Sequence, residues 1–101
     1  MELKFEATMI EWRGPAPYLF LPVPAAESEG IRAAARLLSY GWGVIPVSAI
    51  ADGVSFTTSL FPKDGHYLLP VKDAVRRQIG VTVGDRVAVA MSLGRGEMEG
   101  R

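Results

Sequence analysis

Few side chains in this sequence carry chemistry that operates near neutral pH, and most of them gather in one stretch. His66 is the sole histidine, and imidazole is the one side chain whose ordinary pKa permits proton transfer there. Lys63, Lys72, Arg76 and Arg77 lie around it, so residues 63–77 hold the one local excess of positive charge, against Asp64 and Asp73. Lys72 and Arg76 are four positions apart and share a helix face, with Arg77 about 100° round from Arg76. His66, Lys72, Arg76 and Arg77 are therefore candidates for holding a phosphate or carboxylate, because a guanidinium offers such a group two parallel donors. A solvated basic face is the simpler reading. Trp12, Tyr18, Tyr40 and Trp42 form a second candidate group, rings with apolar bodies and polar edges that could line a mixed pocket or pack at the core's rim.

The composition narrows the chemistry further. With no cysteine, the chain has no thiolate nucleophile, no disulfide and no sulfur-ligated metal site. A single histidine leaves no multi-histidine centre, and no serine is tied to His66 by a recognisable nucleophile motif. Glu6, Glu11, Glu27 and Glu29 could meet across a cleft, but acid–base work needs a geometry and shifted pKa values that spacing does not supply. No cofactor is expected. Lys plus Arg is 11 and Asp plus Glu is 11, a formal net charge of +0 that disfavours nucleic acid as the partner. The first residues have neither the basic segment nor the apolar core of a secretory signal, and no run approaches about 18 apolar residues. The expectation is a soluble cytoplasmic protein with no membrane contact, a monomer or a homodimer.

These residues must be positioned by a small fold. The chain has 101 residues, 49% of them hydrophobic, enough for one core. Leu3, Phe5, Ala7 and Met9 alternate with Lys4, Glu6 and Thr8 as in a half-buried strand. Ile10 and Trp12 then fall on the polar phase, which requires a bulge near Met9 or cover on both faces. Tyr18 to Val23 is a second strand, with Pro22 marking an edge or an exit. Pro24 to Leu38 reads as a helix with Ile31, Ala34, Ala35 and Leu38 on one stripe, though Gly30 weakens its first turn. Val44 to Ala51, the hairpin signal Asp52-Gly53 and Val54 to Phe61 follow, with Val54, Phe56, Thr58 and Leu60 on one face. Pro62-Lys63-Asp64-Gly65 reads as a turn and His66 to Leu69 as the returning strand, ended by Pro70. A short helix spans Val71 to Ile79, with Gly80 in the left-handed stop position, and Asp85 to Leu93 is the closing strand. The predicted order is β-β-α-β-β-β-α-β: a mainly β, six-stranded, closed or partly closed pseudo-barrel over residues 1–93, capped by the longer helix. Residues 94–101 form a flexible tail. Closure is expected because it would remove exposed strand edges.

Several phrases in order carry a resemblance: Gly43-Val44-Ile45-Pro46-Val47, Phe56-Thr57-Thr58-Ser59-Leu60, Gly65-His66-Tyr67-Leu68-Leu69-Pro70-Val71-Lys72, Val75-Arg76, Ile79-Gly80-Val81 and Gly84-Asp85-Arg86-Val87. From about Phe5 to Leu93 the chain resembles the bacterial domain-of-unknown-function family numbered nineteen-oh-five. The resemblance implies a helix-capped pseudo-barrel, which some relatives continue into a YdeI/OmpD-associated domain. It supplies no reaction, ligand or catalytic residue. Ala25 to Tyr40 departs from it in being longer and more regularly helical. Gly84-Asp85-Arg86-Val87 also resembles the turn before a strand in AbrB-like swapped-hairpin barrels, where its local role is a backbone turn held by Asp85.

The sequence therefore points to a non-catalytic module that binds a small anionic or amphipathic ligand, or a protein partner. The first alternative is a small enzyme using His66 with a nearby carboxylate. The second is a dimeric DNA-binding barrel with the arginines of two chains on one face.

Overall fold

Phe5, Ala7 and Met9 turn inward while Lys4, Glu6 and Thr8 face solvent, as their alternation dictates, in a computed structural model that describes residues 2–12, 18–38 and 45–94. At positions 12, 18, 37 and 38 it describes the backbone alone. The elements are β1 (Glu2–Thr8), β2 (Ile10–Trp12), β3 (Tyr18–Val23), α1 (Ala25–Leu38), β4 (Ile45–Ala51), β5 (Val54–Lys63), β6 (His66–Val71), α2 (Asp73–Ile79) and β7 (Arg86–Leu93). The strands form one antiparallel sheet in the order β1-β7-β4-β5-β6-β3-β2. The sheet curls around a core that includes Leu21, Ile45, Val47, Leu60, Leu69, Val89 and Met91, joined by Ile31 from α1 and Ile79 from α2.

Two features of the predicted barrel are corrected. Seven strands are present among the described residues rather than six, and the ladder is open rather than closed. The extra strand arises at Met9. Its N–H donates to the Asp85 carbonyl at 2.8 Å and its carbonyl accepts from the Gly84 N–H at 2.9 Å. Both polar groups of Met9 are thus held by the turn before β7, and the chain changes partner there, from β7 to β3. The two ends of the sheet, β1 and β2, are consecutive in the chain yet do not pair with each other.

Proline explains why the ladder stays open. The Ser28 hydroxyl stands between the Tyr67 N–H and the Val23 carbonyl, so Val23 turns its polar groups toward β6. Pro22, one residue back, turns its nitrogen to the opposite edge, where β1 would have to pair, and it has no hydrogen to offer. The β2–β3 pairing accordingly stops at Phe20. Pro70 does the same for β6, whose pairing with β5 covers Leu68 to His66 only. Pro22 lies within β3, which runs to Val23 as expected, whereas Pro70, read as the end of the returning strand, lies inside β6, which continues to Val71. Each ends pairing on one edge alone. β5 likewise runs through Pro62 to Lys63, so the turn shrinks to Asp64-Gly65, whose φ values of 51° and 81° match the 52° and 80° of Asp52-Gly53.

The helices form largely where their stripes lie. Ile31 is fully buried and Ala34 and Ala35 pack partly against the core, while α2 begins two residues later than predicted because Val71 belongs to β6. Gly80 adopts φ 80° and donates its N–H to the Arg76 carbonyl, closing α2 as expected. No described helix is long and apolar enough to cross a membrane. Residues 95–101 of the predicted tail lie outside the described residues; Gly94 still donates to the Pro46 carbonyl at 2.7 Å.

Ser28 is the polar member of the α1 stripe, one turn before Ile31, and it too is fully buried. It donates to the Val23 carbonyl at 3.1 Å and accepts from the Tyr67 N–H at 3.2 Å. One hydroxyl thereby completes the end of the β3–β6 ladder and docks the helix on it. Ser28→Ala leaves both backbone groups buried without a partner, and urea unfolding should show a loss of about 1–3 kcal/mol. A change below a few tenths would contradict this role.

Candidate functional site

The basic residues that lie close in sequence are divided by the fold. Lys72 immediately precedes α2 and Arg76 sits one turn along it, and both line a cleft of about 590 Å³. Glu11 and Asp73 line the same cleft, over Leu19, Val71 and Val83. Arg76 Nε lies 3.7 Å from Asp73 Oδ1, so part of its charge is matched within its own helix. Arg77 is exposed and does not line this cleft. His66 begins β6 at the far end of that strand and lines a separate cleft of about 400 Å³, with Lys63, Asp64, Ile10, Pro22 and Leu68. Lys63 Nζ there lies 3.7 Å from Asp64 Oδ2. The proposed four-residue anion group is therefore not one site. Glu11 lies on the margin of both clefts.

His66 is exposed, and among the described residues no carboxylate is in ion-pair contact with it. The acids do not assemble either. Glu6 lies 3.3 Å from Arg86 Nε, on the far side of Met9 from Glu11, while Glu29 is exposed on α1. Among the described residues no group of three or more His, Asp or Glu side chains could hold a metal ion. Asp85 has the turn role its spacing suggested: Oδ2 accepts from the Thr82 N–H at 2.9 Å, and Gly84 takes φ 93°.

Of the predicted aromatic pocket, Tyr40 and Trp42 lie outside the described residues. Trp12 and Tyr18 are opposite one another in the β2–β3 register. A different pair of rings shapes a cleft. Phe20 on β3 and Phe61 on β5 meet edge to face, with centroids 6.3 Å apart and planes at 68°. Together with Thr57, Ser59, Pro70 and Lys72 they line a cleft of about 540 Å³ on the outer face of the sheet. Phe20 is buried, whereas Phe61 is 42% exposed. This cleft was missed because Ser55, Thr57 and Ser59 read as an ordinary polar strand face. The available signal was Phe61, an aromatic on that same phase.

The fold and its surface define a small domain: a curled open β-sheet with two helices, whose concavities lie on the outside and not within a closed barrel. Residues 5–91 match the family described as Domain of unknown function (DUF1905), and the chain belongs to that family. No curated protein matches the chain.

The division of the basic residues has a measurable consequence. In a phosphate titration followed by NMR, the His66 ring and the Arg76 amide should respond with independent dissociation constants. One shared constant, lost on mutating either residue, would show that they form a single site after all.

Proposed function

We propose that the domain is a non-catalytic binding module that takes a small amphipathic anion into the cleft between Phe61 and Lys72. The observation that carries this reading is the state of Lys72. Its side chain is exposed and forms no ion pair among the described residues, while Arg76 beside it is matched by Asp73. Lys72 also borders the one cleft described above whose lining includes two phenyl rings. Covering an exposed phenylalanine is worth up to about 1.5–3 kcal/mol, so a flat apolar body would gain most by lying against Phe61. A carboxylate or phosphate on that body would reach the ammonium group, and Thr57 adds an exposed hydroxyl at the same margin. The volume suits a ligand built on a single ring.

A protein partner is the second reading, favoured by Ile10 and Phe61, which are 38% and 42% exposed. The registers place them on the same outer face, through Phe20 opposite Ile10 and Leu68 opposite Phe61.

Phenylacetate and acetate, titrated separately into isotopically labelled protein, separate the contributions. Phenylacetate should shift the Thr57, Phe61 and Lys72 amides saturably, and acetate much more weakly. Lys72→Met and Phe61→Ala should each weaken phenylacetate binding about tenfold, the equivalent of about 1.4 kcal/mol. Equal responses to both anions, or an unchanged affinity in Lys72→Met, would refute the assignment.

A further inference from the structure

We infer that the cleft lined by Glu11 and Arg76 is a second ligand site, separate from the Phe61 cleft, and that it takes a free α-amino acid with an aliphatic side chain. The registers set Glu11 opposite Leu19, and Leu19 opposite Val71. Val71 is buried and Leu19 packs partly against the core, so this row belongs to the inner face of the sheet. Its last position, on the end strand β2, holds an exposed carboxylate where the phase calls for an apolar side chain. The cleft beside it is completed by Lys72, by Asp73 and Arg76 of α2, and by Thr82 and Val83 after that helix.

The Arg76 side chain is 28% exposed, and its Nε stands 3.7 Å from Asp73 Oδ1, longer than a hydrogen bond. Among the described residues no group accepts a hydrogen bond from this guanidinium, so its fork can take a carboxylate through two parallel bonds. No ion pair joins Arg76 to Glu11, and the two charges do not cancel across the cleft. Lys72 and Asp73 add one charge of each sign, which makes two bases and two acids around one concavity. A plain anion meets the acids there and a plain cation meets the bases, whereas a zwitterion satisfies both signs. Between them Leu19, Val71 and Val83 offer aliphatic surface, Val83 being 49% exposed, with no ring on which an aromatic ligand could stack. The carboxylate of the amino acid lies on Arg76, its ammonium group donates to Glu11, and its side chain covers these three residues. A cleft of about 590 Å³ is ample for such a molecule.

NMR titrations of the labelled full chain with leucine and its two halves test the site. Isocaproate is leucine without the ammonium group, and isoamylamine is leucine without the carboxylate. Leucine should shift the Leu19, Arg76 and Thr82 amides saturably, leave Thr57 and Phe61 in place, and bind at least about tenfold more tightly than either half. Glu11→Gln should weaken leucine about tenfold without weakening isocaproate, and Arg76→Gln should weaken leucine by a similar factor without weakening isoamylamine. The retained responses show that both variants are folded. Lys72 borders both clefts, but phenylacetate is reported by Thr57 and Phe61, so the two sites stand or fall on different amides. Leucine that binds no better than its halves, leucine that shifts Phe61 instead of Thr82, or a Glu11→Gln variant that loses isocaproate along with leucine would overturn the proposal.

Discussion

Met9 is held by its backbone from one side. The Asp85 carbonyl and the Gly84 N–H take both of its polar groups, so the first strand remains tied to the turn before β7 even as its continuation pairs with β3. Much of the architecture follows from that attachment. A strand fixed at one residue and paired with different neighbours before and after it must bend, and the sheet bends with it. β5 makes the second bend, pairing with β4 as far as Leu60 and with β6 from Phe61. The result is two half-sheets that share β5, are joined again through Met9 between β1 and β2, and face one core.

The prolines decide where the bent sheet opens. Pro22 and Pro70 are each satisfied toward one neighbour and unable to donate toward the other, so each leaves a gap without breaking its own strand. Each also lines a cleft: Pro22 that of His66, Pro70 that of Lys72 and Phe61. Two of the clefts thus lie where a backbone donor is missing.

Much of this was legible in the residues. The alternation of Phe5, Ala7 and Met9, the Asp52-Gly53 hairpin, the Ile31 stripe and the Gly80 stop all express local rules that tertiary structure leaves intact. The strand count and closure were less legible. A bend at Met9 depends on a turn 75 positions later, and periodicity carries no information about such a partner. Pro70 was read as a strand end, and Pro22 as an edge or an exit, because sequence does not say which edge of a strand needs its donors. The site suffered from the same limitation. His66 and Arg76 are close along the chain, but β6 carries them to opposite ends of itself, while Phe61 and Lys72 meet only because β5 and β6 adjoin. Ser28 was invisible as a core residue because its role rests on two backbone groups from different strands.

The Ser28 hydroxyl also joins two motions that would otherwise be separate. In an ordinary ladder, the Tyr67 amide would be protected for as long as β3 and β6 remained paired. Here its acceptor belongs to α1, so its exposure to solvent deuterium follows the lifting of the helix, even while the sheet beneath stays whole. A single amide on β6 thus becomes a reporter on α1. Its exchange thereby reads a local opening set by the docking of α1 on this end of the sheet.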